Sequence, residues 1–397
     1  MRRPTKTTWR RATMIAVTVM CVAYAPLAMT ELWPYARPGA PALGEWVMGR
    51  VVSPRYVTDA LADRMAPYRH SLVPMIVHSV LGGALMLLGP AQLLTAARHR
   101  TRLHRTLGVV FAVTVYVSMA GAGIYLARTA PEDAFSGPAF WIVLATLLVG
   151  TVMSVTFGIL AAVRGLLDLH QRWMLLCYGF LLTAPLLRLE WGFLPRLLPG
   201  LTMEQINQVA IMHLGAVVTL GALIAARARD RRTTVEGVSG SWAPWPVLAA
   251  AQLAGGAALV WIAYSYLDFG ETGRRLLWAY LLPCGASWAV MAIGAGRQGR
   301  PWAREEWRLH LTALCLAPVL SVGAAPVFRH ALDLDRLTAL TAGVAIGCGM
   351  LAFAATTVVS LRVMNCRREP TTAVRRSVSG DTRAVAAAGA ARRGTPR

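Results

Sequence analysis

Charge is scarce in this chain. Asp, Glu, Lys and Arg make up only 15% of its 397 residues, against 56% hydrophobic residues and a mean hydropathy of +0.49. That balance excludes both a soluble globular domain and a disordered chain. Lysine is almost missing: Lys6 is the single one among 40 Lys and Arg, a coding bias that carries no function. Cysteine gives no disulfide framework, because Cys21, Cys177, Cys284, Cys315 and Cys348 lie in apolar runs and Cys366 in a basic tail. The signatures of soluble enzymes are missing too: there is no phosphate-binding glycine loop, no HExxH helix and no GxSxG elbow. Gly121-Ala122-Gly123 reads as a small-residue helix contact, not a nucleotide loop. Carboxylates inside the apolar runs are nearly absent, which counts against a proton or cation relay.

Long apolar runs are what the chain does have. Crossing a ~30 Å hydrocarbon core takes ~20 helical residues. Ten stretches qualify: 13–29, 72–96, 106–127, 139–163, 173–192, 206–226, 244–268, 276–296, 308–328 and 337–362. The fold class is therefore an all-α, polytopic membrane helical bundle of about ten spans. Assigning the connecting segments alternately to two sides, with the charged residues inside the spans counted on the nearer side, puts 28 Lys and Arg against 7 Asp and Glu on one side, a net +21, and 12 against 12 on the other. Basic residues at helix ends stay on the cytoplasmic face, so both termini are expected in the cytoplasm. The basic charge lies in short turns beside apolar spans. Its expected partner is a bilayer with anionic headgroups, not nucleic acid. Arg2, Arg3, Lys6, Arg10 and Arg11 precede the first span, and Ala23-Tyr24-Ala25 has the form of a cleavage site. Pro26 follows directly and the apolar run continues to Met29, so an uncleaved signal anchor is the better reading, with a twin-arginine signal as the alternative.

The one long external segment runs from Glu31 to Ser71. Its beginning, with Pro34, Pro38, Gly39, Pro41 and Gly44, is expected to be irregular. Val57, Leu61 and Met65 recur every four residues with Asp59 and Asp63 off the stripe, which fits a short amphipathic helix, either on the membrane surface or packed on the bundle. Four regions follow: a six-span domain (1–228), a cytoplasmic linker (229–243), a four-span bundle (244–364) and a disordered basic tail (365–397). Spans three to six and seven to ten share landmarks at a shift of 134 residues, such as Ala120-Gly121 with Ala254-Gly255 and Trp173 with Trp307. This suggests a same-orientation duplication, although apolar helices also match by chance.

Histidines inside spans are the first candidates for chemistry, since polar groups in a bilayer are costly. His78 lies nine residues past Arg69 and His213 nine past Glu204, each ~13 Å of helix below the outer surface. His104 and His170 lie two and three residues before a span, at the cytoplasmic rim. Two pairs at two depths from four helices match the needs of two stacked haem b groups, whose irons take neutral imidazoles from opposite sides. In that arrangement Arg188 would face the propionates of the outer haem, and Arg105 and Arg172 those of the inner one. Gly82, Gly83 and Gly215 would leave room for the rings. The plainer reading has each histidine capping or bonding a neighbouring helix, and Arg188 paired with Glu190 or Glu204.

His78 with Gly89-Pro90-Ala91-Gln92, Leu103-His104-Arg105 with Gly108, His170-Gln171-Arg172-Trp173-Met174 and Arg188 form an ordered set. Over His78 to His213 it resembles a family of bacterial predicted membrane proteins, domain of unknown function 2306. The resemblance covers the first six spans and implies a multi-pass protein of the bacterial inner membrane, without an activity. Leu103-His104-Arg105 with Leu107-Gly108 also resembles haem-ligand segments of two-haem cytochrome b and ferric-reductase-type proteins. No helix here carries two suitably spaced histidines and no flavin domain follows, so electrons would come from a quinol or a redox partner. The expected function is haem-dependent transmembrane electron transfer. The alternatives are a haem-free permease or exporter for a small or lipophilic compound, and an intramembrane enzyme acting on a lipid-like substrate near His78 and Arg188.

Overall fold

Helix accounts for all the regular structure in the computed structural model, which describes residues 6–37, 39–51, 58, 67–93, 101–229 and 241–368. The helices are α1 (Lys6–Thr30), α2 (Trp33–Ala36), α3 (Leu43–Val51), α4 (Leu72–Leu93), α5 (Thr101–Arg128), α6 (Gly137–Val163), α7 (Leu167–Leu181), α8 (Thr183–Leu197), α9 (Met203–Arg229), α10 (Trp245–Leu267), α11 (Gly270–Arg297), α12 (Pro301–Ala331) and α13 (Arg336–Arg368). With α7 and α8 counted as one span, ten among them are long and apolar enough to cross a membrane.

Local chemistry sets many of the ends. Proline opens the first turn of α6, α10 and α12, where a missing N–H costs nothing. Asp335 caps α13: its Oδ1 accepts the backbone N–H groups of Leu337 at 2.9 Å and Thr338 at 3.0 Å. Partial desolvation opposes ionisation of that carboxyl, but the Thr338 hydroxyl and these amides outweigh it and hold its pKa below the ordinary value. Span five divides into α7 and α8 at Leu182, which keeps helical φ and ψ (−69°, −10°) and accepts from the Leu186 N–H. Pro185 has no N–H to offer the Leu181 carbonyl, and the chain turns there into α8.

The helices extend beyond the apolar windows. α5 starts at Thr101, α7 at Leu167 and α12 at Pro301, so His104, His170 and the Arg304-Glu305-Glu306 run lie within helices, not in turns before them. The start of the external segment, expected to be irregular, instead holds α2 and the beginning of α3. Pro34 falls in the first turn of α2 and Pro41 between the two helices, where they do not interrupt either. The stripe Val57, Leu61 and Met65, most of the linker (230–240) and the tail beyond Arg368 lie outside the described residues.

Spans five, six and ten bury 61%, 53% and 56% of their most apolar windows, against 22% for α1 and α10, so α7, α8, α9 and α13 are the centre of the bundle. α4 packs between α1 and α5, and α12 packs intimately on α13. Gly343 and Gly347, one turn apart on α13, face Ser321 and Ala317 of α12; a Cβ on either glycine would come within 3 Å of a backbone carbonyl. The two groups of four spans contact each other reciprocally. α9, the last span of the first group, packs on α11, the second of the other; α13, the last of the second group, packs on α6; and α9 crosses α13 at Gly215 and Ala345. Large apolar side chains such as Val73, Leu253 and Leu282 face outward, as helices in hydrocarbon require.

Candidate functional site

The junction of α7 and α8 at Leu182 borders a cavity of about 220 Å³, walled by α1, α4, α5, α6, α7, α8 and α9. Its floor is apolar, with Met86, Leu147, Phe180 and Leu214. Its polar groups include Glu31, His78, Ser118 and Arg188. It lies toward the end of the bundle opposite the basic turns.

Each of these side chains is held. The His78 ring bonds across to α5, with Nδ1 3.0 Å from the Ser118 carbonyl and 3.1 Å from its hydroxyl. The Ser118 hydroxyl donates at 3.0 Å to the His78 carbonyl, so it is not set up as a nucleophile. Nδ1–H donating to a carbonyl leaves Nε2 with the lone pair. Arg188 Nη2 donates to Glu31 Oε1 at 2.5 Å, and its guanidinium lies over the Trp191 ring at 4.0 Å. The Trp191 indole N–H donates to Asn207 Oδ1 at 2.5 Å, and the Asn207 amide donates in turn to the Ser136 hydroxyl. Ser136 stands in the left-handed region (φ 62°) at the start of α6, a conformation that persists where the surrounding structure enforces it.

The other expected site residues lie elsewhere. His213 is not among the residues lining this cavity; its Nδ1 is 3.1 Å from Glu190. His170 bonds through Nδ1 to the Gly158 carbonyl of α6 at 2.8 Å, and the His104 carbonyl accepts from Gln92 at 3.4 Å. Neither ring lines this cavity or the small one at the basic end. Arg105 is exposed and Arg172 binds Glu306, so the two do not flank a common ring. Of the three glycines, Gly83 packs against Ala25 and Met29, and Gly215 against Ala345; only Gly82 borders the cavity with open space where a Cβ would stand. Haem b needs two axial groups facing one slot. His78 and His170 bond carbonyls through Nδ1, which leaves Nε2 for a metal, but the cavity presents one imidazole. As placed, these residues do not fit a bis-imidazole haem.

Hydropathy missed a second polar centre, at the basic end. Glu306 of α12 is paired with Arg172 of α7 at 3.2 Å and with Arg227 of α9. Its neighbour Glu305 is paired with Arg362 of α13 at 2.7 Å, and accepts the Ser241 hydroxyl and the backbone N–H groups of Trp242 and Ala243. One turn further along α12, His310 is buried with Nδ1 in no hydrogen bond. A space of about 20 Å³, roughly one water in size, is lined by Arg172, Glu306 and His310. These ions join both groups of four spans at one end.

Ten spans, buried ion pairs and a cavity at the junction of α7 and α8 define the chain as a polytopic α-helical membrane protein. Residues 75–226 match the model of a family described as "Predicted membrane protein (DUF2306)", which takes in α4 to α9 and leaves the last four spans outside the match. No curated protein and no solved structure matches the chain.

Proposed function

We propose that the protein is a carrier for a small lipophilic compound, which it binds in the cavity beside His78 and Arg188. The observation that carries this reading is the cavity itself: an apolar chamber with a few polar groups at one end, beside the junction of α7 and α8. Two groups of helices packed reciprocally about a central crossing are a feature of secondary transporters. Against an enzyme, Ser118 donates to a backbone carbonyl and is not paired with a base acting on it.

The test uses Gly82, where added bulk enters the cavity. An organic extract of the detergent-purified wild type is expected to contain a lipophilic species depleted from Gly82→Phe. In liposomes, the wild type equilibrates that species across the bilayer and the variant does not. Identical extracts would overturn the reading. A Soret band that His78→Ala abolishes would transfer the function to haem-dependent redox chemistry.

A further inference from the structure

His78 and Arg188 keep hydrogen-bonding capacity that is unused among the described residues. The Ser118 carbonyl takes the His78 Nδ1 proton at 3.0 Å, so the ring offers a lone pair at Nε2. That nitrogen does not gain a proton readily. Glu31 already has the Arg188 guanidinium against it, and an imidazolium would stand as an uncompensated charge in a largely apolar chamber. The Glu31 charge also acts on the His78 ring, which puts the ion pair and the imidazole in one neighbourhood. Arg188 offers the opposite capacity. Glu31 bonds to Nη2, which leaves N–H donors on Nε and Nη1. The hydroxyls of Ser79, Ser118 and Thr183 donate to the carbonyls of Ala28, His78 and Phe180 at 2.6, 3.0 and 2.6 Å, so they present oxygen lone pairs to the space they line.

We infer that the ligand of this cavity carries a neutral hydroxyl head, that of a lipophilic alcohol or phenol, which donates to His78 Nε2 and accepts an Arg188 N–H. This deepens the carrier reading and rests on the cavity being the ligand site. A hydroxyl is a small group that is donor and acceptor at once. An ether or ketone brings no proton to the His78 lone pair, and a buried acceptor left unmet weakens binding. A carboxylate or ammonium head would have to part Arg188 from Glu31, from one side or the other. A hydroxyl leaves that pair whole.

Decanol, decyl methyl ether, decanoate and decylammonium share a tail and serve as probes in calorimetric titrations of the detergent-purified full chain. Decanol is expected to bind about tenfold more tightly than the ether, as one buried acceptor left unpaired implies, and more tightly than either ion. His78→Asn keeps an N–H where Nδ1 stands and has no acceptor in place of Nε2, so it brings the alcohol-to-ether ratio close to one. That ratio compares two ligands on one preparation, so a poorly folded fraction does not alter it, and the wild-type ranking needs no variant. Gly82→Phe excludes every probe that binds. An ether or an ion that binds as tightly as decanol, or a ratio unchanged in His78→Asn, overturns the hydroxyl assignment, while exclusion by Gly82→Phe keeps the cavity reading. Probe binding that ignores Gly82→Phe, or no binding of any probe, overturns both.

Discussion

Glu306 is the residue on which the basic end of the bundle converges, because two buried arginines from α7 and α9 depend on its carboxylate. Removing one partner of a buried ion pair leaves the other charge desolvated and uncompensated, at a cost of about 3–5 kcal/mol. Glu306→Gln is therefore expected to lower the thermal midpoint of the purified protein clearly, and Glu306→Asp less so. An unchanged midpoint in Glu306→Gln would mean that Arg172 and Arg227 do not need it. The sequence concealed this centre for a physical reason. Arg304-Glu305-Glu306 interrupts an apolar average, so it reads as a turn, whereas mutual pairing allows the charges to lie inside a helix. His78 and Arg188 were legible as functional candidates because isolated polar groups in apolar runs stand out. Their partners were not: nothing in the spacing shows that Ser118 would take His78 or that Glu31, not Glu190 or Glu204, would take Arg188. The direction of the His213 ring depends on how α8 and α9 pack, which spacing along one helix does not show.

At the scale of the helix, all ten crossings and their order were legible because a 20-residue apolar window is a strong signal. Their ends were not, since the extensions of α5, α7 and α12 are made of charged turns. The division of span five was signalled by Pro185, and the intimacy of α12 and α13 by the small residues at 343 and 347 and at 317 and 321. Glycines on helices here divide sharply. A Cβ at Gly343 would lie 2.8 Å from the Ser321 carbonyl, whereas one at Gly285 meets nothing within 4 Å. Gly343→Val should force α12 and α13 apart at a cost of about 1–3 kcal/mol. Gly285→Ala should stabilise α11 by up to about 1 kcal/mol through helix propensity. Thermal midpoints measured side by side check the pair; equal shifts for both would refute the close packing of α12 on α13.

For the whole molecule, the charge asymmetry read from the sequence acquires a structural counterpart. The ends of helices that carry the basic turns also hold the Arg172, Arg227 and Arg362 cluster, while the cavity opens toward the neutral end. The fixed basic charge at one end predicts an orientation with that end on the cytoplasmic side and the cavity facing the opposite compartment. The direction in which a carrier would load its ligand depends on it. Single cysteines report it: Arg300→Cys is exposed at the basic end, and Arg274→Cys at the neutral end, where Arg274 makes an exposed pair with Glu271. With Cys366→Ser as background and the remaining cysteines buried in the bundle, a membrane-impermeant maleimide added to intact cells should label Arg274→Cys at once and Arg300→Cys only after the membrane is broken. The reverse pattern would invert the topology and place the Arg188 and Glu31 site on the cytoplasmic face. Labelling of both positions in intact cells would mean that the chain does not hold one orientation.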